Sequence, residues 1–336
     1  ELKKQIEELY RRNPEEARDS FGEDPFEVKN ILKYWIFSER QEFNVIPTDT
    51  INIHIDKDAL LRSGIMLPKT IRHLKGEDLK DAIPDKLYIP LTDIRMLTKV
   101  DLLMLEMLAN CNWERPLYLA ISVGSVSKLK FDNYFVQEGL AFRFTPFDYK
   151  KWGDVGENRL YAVDVERLYN NVMNRYKYGG LDTPGLYLDE TTLRTCWYHR
   201  RLFAQLAKEL IAQGDNERAK KVLAYAEQVI PGYNVPETHE SGSYDIATAY
   251  AALGEKTKAV TLAVHLIAEA EDYINWAFSL KGNRIEMVRN DCIYKFWQWN
   301  QYNELLKKID GEKYKESNRR FEEKYALFAP TMNYKN

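Results

Sequence analysis

Cysteine is scarce in this chain. Cys111, Cys196 and Cys292 are the only three in 336 residues, far apart and odd in number. They form no CxxC pair and no disulfide framework, so a stapled fold is excluded. Small buried filler is their expected role, and a reactive thiol is the minor alternative. Long hydrophobic runs are missing as well. The best continuous stretch, Leu117 to Val123, is far short of the roughly 18 apolar residues of a membrane span. No signal peptide precedes the first helix, and the chain starts at Glu1 rather than Met, which suggests a chain processed or cut from something longer.

Charge of one sign is lacking too. Lys plus Arg number 48 and Asp plus Glu 51, a net charge of −3, which argues against a dedicated nucleic-acid surface. Histidine motifs are absent. His54, His73, His199, His239 and His265 make no i, i+4 pair, no HExxH and no His/Cys cluster, so no metal is expected. GSVSK at Gly124 lacks the second glycine of a phosphate loop, and no GxSxG elbow occurs. No catalytic motif is found, and no cofactor is expected. Glycine is sparse at 16, whereas Tyr reaches 22 and Trp 7. The surplus therefore lies in amphipathic aromatics.

Hydrophobic periodicity divides the chain in two. Leu2, Ile6 and Leu9 share one face of a first helix. Asp24, Pro25 and Glu27 read as the cap and first turn of another, with Val28, Ile31, Leu32, Trp35 and Ile36 as its apolar stripe. Ile51, Ile53 and Ile55 alternate with polar residues as a strand, and Leu87 to Leu91 reads as a second. Thr92 or Asp93 would cap a helix to about Asn110, with Ile94, Leu97, Val100, Leu103/Met104 and Met107/Leu108 inward. A polar turn then leads to the strand Leu117 to Val123. Strand, helix and strand with short connections predict a βαβ unit. Leu140 to Phe144 and Leu160 to Val163 read as further strands. After Asp164 the pattern is helical, and the polar, glycine-containing stretch Lys177 to Asp189 marks a hinge. The expected fold is α+β, a mixed α/β domain over residues 1–176, followed by an all-α helical-repeat domain over residues 177–336.

The repeat is the clearest signal. Ala207, Gly214, Ala219, Ala226 and Pro231 fit a tetratricopeptide-like helix–turn–helix, and Ala247, Tyr250, Gly254 and Ala259 fit it again. The two turn glycines are 40 residues apart, and the loop Pro231 to Ser243 takes up the excess over about 34. Helices near Ile285 to Ile309 and Glu312 to Leu327 extend the stack.

Several side chains are candidates for binding. In NCNWERPLY, Trp113, Arg115 and Tyr118 would form a ligand wall with Asn110 and Asn112 as hydrogen-bonding groups; the alternative is a capped helix end. Glu138 and Arg143 read as an ion pair across a bend. Arg200 lies on the apolar stripe Leu193, Cys196, Phe203, Ala207, Leu210, so it must be paired, either in an interdomain salt bridge or as a bidentate anion site. Trp276, Phe296, Trp297 and Trp299 read as packing residues first and as a sugar-stacking platform second.

The segments IPTDTINIHIDKDALLRSG, NCNWERPLYLAISVG, YFVQEGLAFRFTP, MNRYKYGG and RRLFAQLAKELIAQGD together resemble a known family. It is the soluble C-terminal part of a Bacteroidetes family of membrane proteins, domain of unknown function 2723. The membrane part of that family is similar to protein O-mannosyltransferases that use lipid-linked sugars. The resemblance runs from about Asp24 to Pro231 and implies an extracytoplasmic (periplasmic) portion of a larger glycosyltransferase. The catalytic carboxylates would then lie in membrane spans absent from this chain, and no catalytic residue carries over. The matching positions are Asn112, Trp113, Arg115, Pro116, Tyr118, Glu138, Gly139, Arg143, Asn174, Lys177, Gly179 and Gly180. Glu114 stands where a basic residue is more usual. The implied role is a non-catalytic accessory domain that binds an acceptor peptide or glycan, or its own membrane domain. Nucleic acid is not among the expected partners, and any membrane contact would come through the upstream spans. A plain protein–protein interaction module is the main alternative, and an independent carbohydrate-active enzyme built on Glu138 the lesser one.

Overall fold

The computed structural model describes residues 1–39, 45–123, 129, 131–156, 161–280 and 284–332. The chain forms two compact units, Glu1–Asp164 and Val165–Asn336. The boundary expected after residue 176 falls inside the second unit, because the helix that starts at Val165 packs on the helical array that follows. The first unit is α+β and the second all-α, as the sequence pattern predicts.

The first unit opens with α1 (Leu2–Arg12) and α2 (Pro14–Phe21), then α3 (Val28–Ile31), which runs on as a π-turn over Leu32–Ile36. Val28, Ile31, Leu32 and Trp35 are buried as the spacing requires. α3 starts later than the sequence suggests. Asp24 does not cap it; its carboxylate accepts from the Phe26 amide at 2.9 Å and from Lys86 Nζ at 2.6 Å. Main chain at Phe26 and Glu27 instead lies along β1 (Thr50–His54), where the Asn52 amide donates to the Phe26 carbonyl at 3.0 Å. Sheet pairing outcompetes the first helical turn.

β1 is followed by α4 (Lys57–Arg62) and α5 (Gly76–Ala82), and it pairs antiparallel with β2 (Lys86–Pro90), with Ile51 opposite Ile89 and Ile53 opposite Leu87. These four side chains are buried with Ile55 and Leu60. Two strands alone are marginal; this pair is covered by α3 and by α6 (Lys99–Asn110).

α6 differs from its expected frame. Thr98, not Thr92 or Asp93, is its cap, in a reciprocal capping box with Asp101, whose carboxylate accepts from the Thr98 amide and hydroxyl, both at 2.7 Å. Starting the helix at Lys99 breaks the register with Ile94 and Leu97. The buried face is Asp101, Leu105, Leu108 and Ala109. Of the residues expected inward, Leu108 is buried, whereas Val100, Leu103 and Met107 are 47%, 57% and 46% exposed.

The predicted βαβ unit does not form. β3 (Tyr118–Ala120) joins a second sheet rather than pairing with β2. That sheet has the order β3-β5-β4-β6, from β4 (Phe135–Gln137), β5 (Ala141–Phe144) and β6 (Ala162–Val163). β3/β5 and β4/β5 are antiparallel, and β4/β6 is parallel. The sequence pattern specifies strands but not their partners. Gly124 with GSVSK, and Leu160, lie outside the described residues.

The second unit begins with α7 (Val165–Asn170) and a π-turn over Asn171–Arg175. Two helical hairpins follow: α8 (Glu190–Ala212) with α9 (Asn216–Val229), then α10 (Ser243–Ala252) with α11 (Lys256–Ser279). The turns use Gly214 and Gly254, at φ +80° and +78°. Ala207, Ala219, Ala247 and Ala259 are 0% exposed, so the small residues of the repeat sit where helices approach most closely. α12 (Arg284–Met287), α13 (Arg289–Ile309) and α14 (Gly311–Met332) extend the stack, with α13 packed on α11 and α14 on α13.

Candidate functional site

The turn after α6 carries the most unusual backbone. Asn112 and Trp113 have φ of +48° and +61°, the only non-glycine residues with positive φ among the described residues. Left-handed geometry is tolerable for Asn but costs a bulky residue about 1–3 kcal/mol. Trp113 recovers that cost through burial. It is 6% exposed, its Nε1 donates to the His54 carbonyl at 2.7 Å, and its ring lies nearly parallel to Phe144. It is therefore a peg joining the end of β1 to the second sheet, and no ring face is offered to a ligand. Asn112 is exposed and accepts from Lys29 Nζ at 3.1 Å.

Glu138 and Arg143 do meet, as the spacing suggests. Arg143 faces Tyr118 across β3/β5, and its Nη1 lies 3.7 Å from Glu138 Oε1, with both side chains buried. Tyr118 donates its hydroxyl to the other carboxylate oxygen at 2.8 Å. Arg143 Nη2 donates to the Ser63 carbonyl at 3.0 Å and to its hydroxyl at 2.8 Å. Ser63 ends α4, so the guanidinium also closes the negative end of that helix. The cleft beside this network is lined by Ser63, Cys111, Trp113, Arg115, Arg143 and Phe144, among others. It has room for about one water. Arg115 is exposed at the rim with no ion-pair partner among the described residues. Burial raises the Cys111 thiol, so it stays protonated. The network fastens α4 to the sheet and, as formed, admits no sugar ring.

The other sequence-selected residues fall in the second unit. Asn174 is exposed and donates to Asn170 Oδ1 at 3.1 Å, and Lys177 is exposed. Arg200 is 3% exposed. Its donors go to the carbonyls of Ile230 (3.0 Å), Val235 (2.6 Å) and Pro236 (2.8 Å), and to Ser241 Oγ (3.0 Å). Burial pulls the guanidinium down to about 10, with the Glu237 charge opposing, so it remains charged at neutral pH. In place of the anion site that the spacing suggests, the side chain clamps the loop between α9 and α10.

The four C-terminal aromatics separate cleanly. Phe296 and Trp299 are 3% and 0% exposed, whereas Trp276 and Trp297 are each 49% exposed. Trp297 stacks on Tyr294, with ring centroids 5.6 Å apart and planes 11° apart. His239 sits edge-on to both rings, at 5.6 Å from Trp297 and 6.1 Å from Tyr294, and stacks on Tyr244 at 5.8 Å. His239 Nδ1 lies 2.9 Å from the Tyr302 hydroxyl. Burial lowers the His239 pKa, so the ring is neutral at pH 7. Glu240 accepts from Gln298 Nε2 at 3.1 Å. Burial works to raise the Glu240 carboxyl, but its own amide, Lys295 and Gln298 outweigh it and hold it below the usual carboxylate range. The sequence contained a signal for this face. Cys292, Phe296, Trp299, Asn303 and Leu306, spaced 4, 3, 4, 3, form the buried stripe of α13 and leave Tyr294 and Trp297 off it.

Among the described residues no three His, Cys, Asp or Glu side chains are grouped to hold a metal ion, and no helix is long and apolar enough to cross a membrane. Residues 4–166 match the family model described as TMEM260-associated domain 2. The match fits a glycosyltransferase-associated domain, but not family 2723 specifically. No curated protein and no solved structure matches the chain.

Proposed function

We propose that this chain is a non-catalytic, extracytoplasmic accessory region of a glycosyltransferase-type membrane protein, and that it holds the acceptor protein or its glycan near the transfer site. The match over residues 4–166 carries this reading. Two features of the chain support it. The one carboxylate with a candidate catalytic role, Glu138, is 6% exposed and engaged by Tyr118 and Arg143, a poor position for a general acid. The second unit presents exposed aromatic side chains beside a carboxylate, which suits holding rather than transforming a ligand. The periplasmic face of a bacterial inner membrane is the compartment the reading implies. The test is the full reading frame that encodes the chain, with topology mapping of its product. Multiple apolar spans upstream of Glu1 and an external location for this region are expected; a short frame without spans overturns the reading.

A second reading has its own observation. The exposed stripe Val100, Leu103 and Met107 on α6 suits a protein–protein contact. Substituting all three with Ser should then release a partner subunit while leaving glycan retention intact.

A further inference from the structure

The face built from His239, Glu240, Tyr294 and Trp297 goes beyond helix packing. Aromatic side chains that only fill space become buried, as Phe296 and Trp299 are on the same helix. Tyr294 and Trp297 remain 45% and 49% exposed yet are held in a fixed stack. His239 supports both from the α9–α10 loop, and that loop is anchored by Arg200. Polar groups lie beside the rings. Glu240 follows His239 and is positioned by Gln298, which is 0% exposed and whose own Oε1 has no hydrogen-bond partner. His239 uses Nδ1 toward Tyr302, and no hydrogen bond occupies its second ring nitrogen among the described residues.

We propose that this face is a binding site for a neutral glycan, in which a pyranose ring packs its C–H face on Trp297, held in place by its stack on Tyr294, and donates hydroxyls to Glu240. The chemistry matches the ligand on both counts. A pyranose has an apolar face that an indole covers well and a rim of hydroxyl donors that a carboxylate accepts. Charge selects the class. Glu240, Asp245 and Glu269 lie around His239; of the nearby cations, Lys295 is paired with Glu269 at 2.9 Å and Arg201 donates to the Glu240 main-chain carbonyl, so the acids outnumber the cations. Such a field disfavours uronic acids, phosphates and anionic lipid surfaces. The inference gives the proposed accessory role its ligand class and rests on that role. It can fail separately, since membrane spans upstream would leave the accessory role standing without a glycan site here.

The test is titration of the full chain with neutral hexasaccharides of mannose, glucose and N-acetylglucosamine, with hexagalacturonate as the acidic comparison. Calorimetry and saturation-transfer NMR give affinity and ring contact. At least one neutral hexasaccharide should bind saturably at millimolar concentration or below, and hexagalacturonate should not bind. Trp297→Ala and Tyr294→Ala should each weaken binding about tenfold. Trp297→Phe should keep most of the affinity, and Glu240→Gln should lose part of it. Tyr187→Ala, at a residue 88% exposed on a separate loop, should change nothing. Both rings are about half exposed, so the alanine variants should fold and melt within a few degrees of the parent. Absence of neutral-glycan binding, binding indifferent to Trp297→Ala, or Trp297-dependent binding to phosphatidylcholine vesicles in its place overturns the proposal.

Discussion

Replacing Arg200 with Met tests the loop clamp. Met keeps much of the side-chain length and removes all four donated hydrogen bonds. Ser241 Oγ has other partners in Thr238 and Ser243, so the loss falls on three carbonyls. Hydrogen bonds from a charged donor are worth about 1.5–3 kcal/mol each, so three contribute roughly 5–9 kcal/mol gross. Burying the guanidinium opposes this: its drop from 12.5 to about 10 corresponds to about 3 kcal/mol. The net loss should be about 2–6 kcal/mol. For a unit of this size that lowers the melting temperature by roughly 5–20 °C. Urea unfolding of the full chain, followed by circular dichroism, measures the loss in the transition of the second unit. Arg200→Lys should fall between the two, because one ammonium cannot fork to carbonyls on both sides. A Met variant within about 0.5 kcal/mol of the parent, the range of an ordinary surface substitution, would refute the clamp.

Three further outcomes follow from the same geometry. Arg143→Met should destabilise the first unit by about 3–5 kcal/mol by removing the guanidinium from beside the buried Glu138, and adding Glu138→Leu should recover much of that in denaturant unfolding. Gly242→Ala should cost more than Gly254→Ala, although both sit at positive φ. A Cβ at Gly242 meets Arg201 Cγ at 2.8 Å, whereas at Gly254 it meets nothing within 4 Å, and comparing the two melting temperatures isolates the clash. Burial lowers the pKa of both His199 and His239, so the unfolded chain takes up their protons first on acidification. Stability should be intact above about pH 6.5 and decline as pH falls below it; a double His199→Phe, His239→Phe variant should flatten that limb in unfolding curves between pH 7 and 5.

What could be read from the sequence was local. The period-2 run around Ile53 and the small residues of the repeat sit where the patterns place them, because each pattern is decided within one strand or one helix. Pairing was not readable. β3 passes over β2 for the second sheet, and the three residues of β4 are too few to show alternation. Helix starts failed where a backbone amide had a competing use, as at Phe26, or where a capping box lay further along, as at Thr98. The sites divide the same way. The stripe showed that Arg200 is buried, but its acceptors are main-chain carbonyls 30 to 36 residues away, which no side-chain pattern reports. Trp113 looked like a ligand wall because composition does not reveal a left-handed turn that drives the ring into the core. Trp297 was separable from Trp299 by helical phase alone.

The proposed role is that this chain holds the acceptor and does not transform it. The most direct measurement is glycosyl transfer by the intact membrane protein, comparing the parent with a Tyr294→Ala, Trp297→Ala variant at varied acceptor concentration. A KM for acceptor raised about tenfold or more with kcat unchanged is expected. A fallen kcat at unchanged KM, or no change in either, would contradict it.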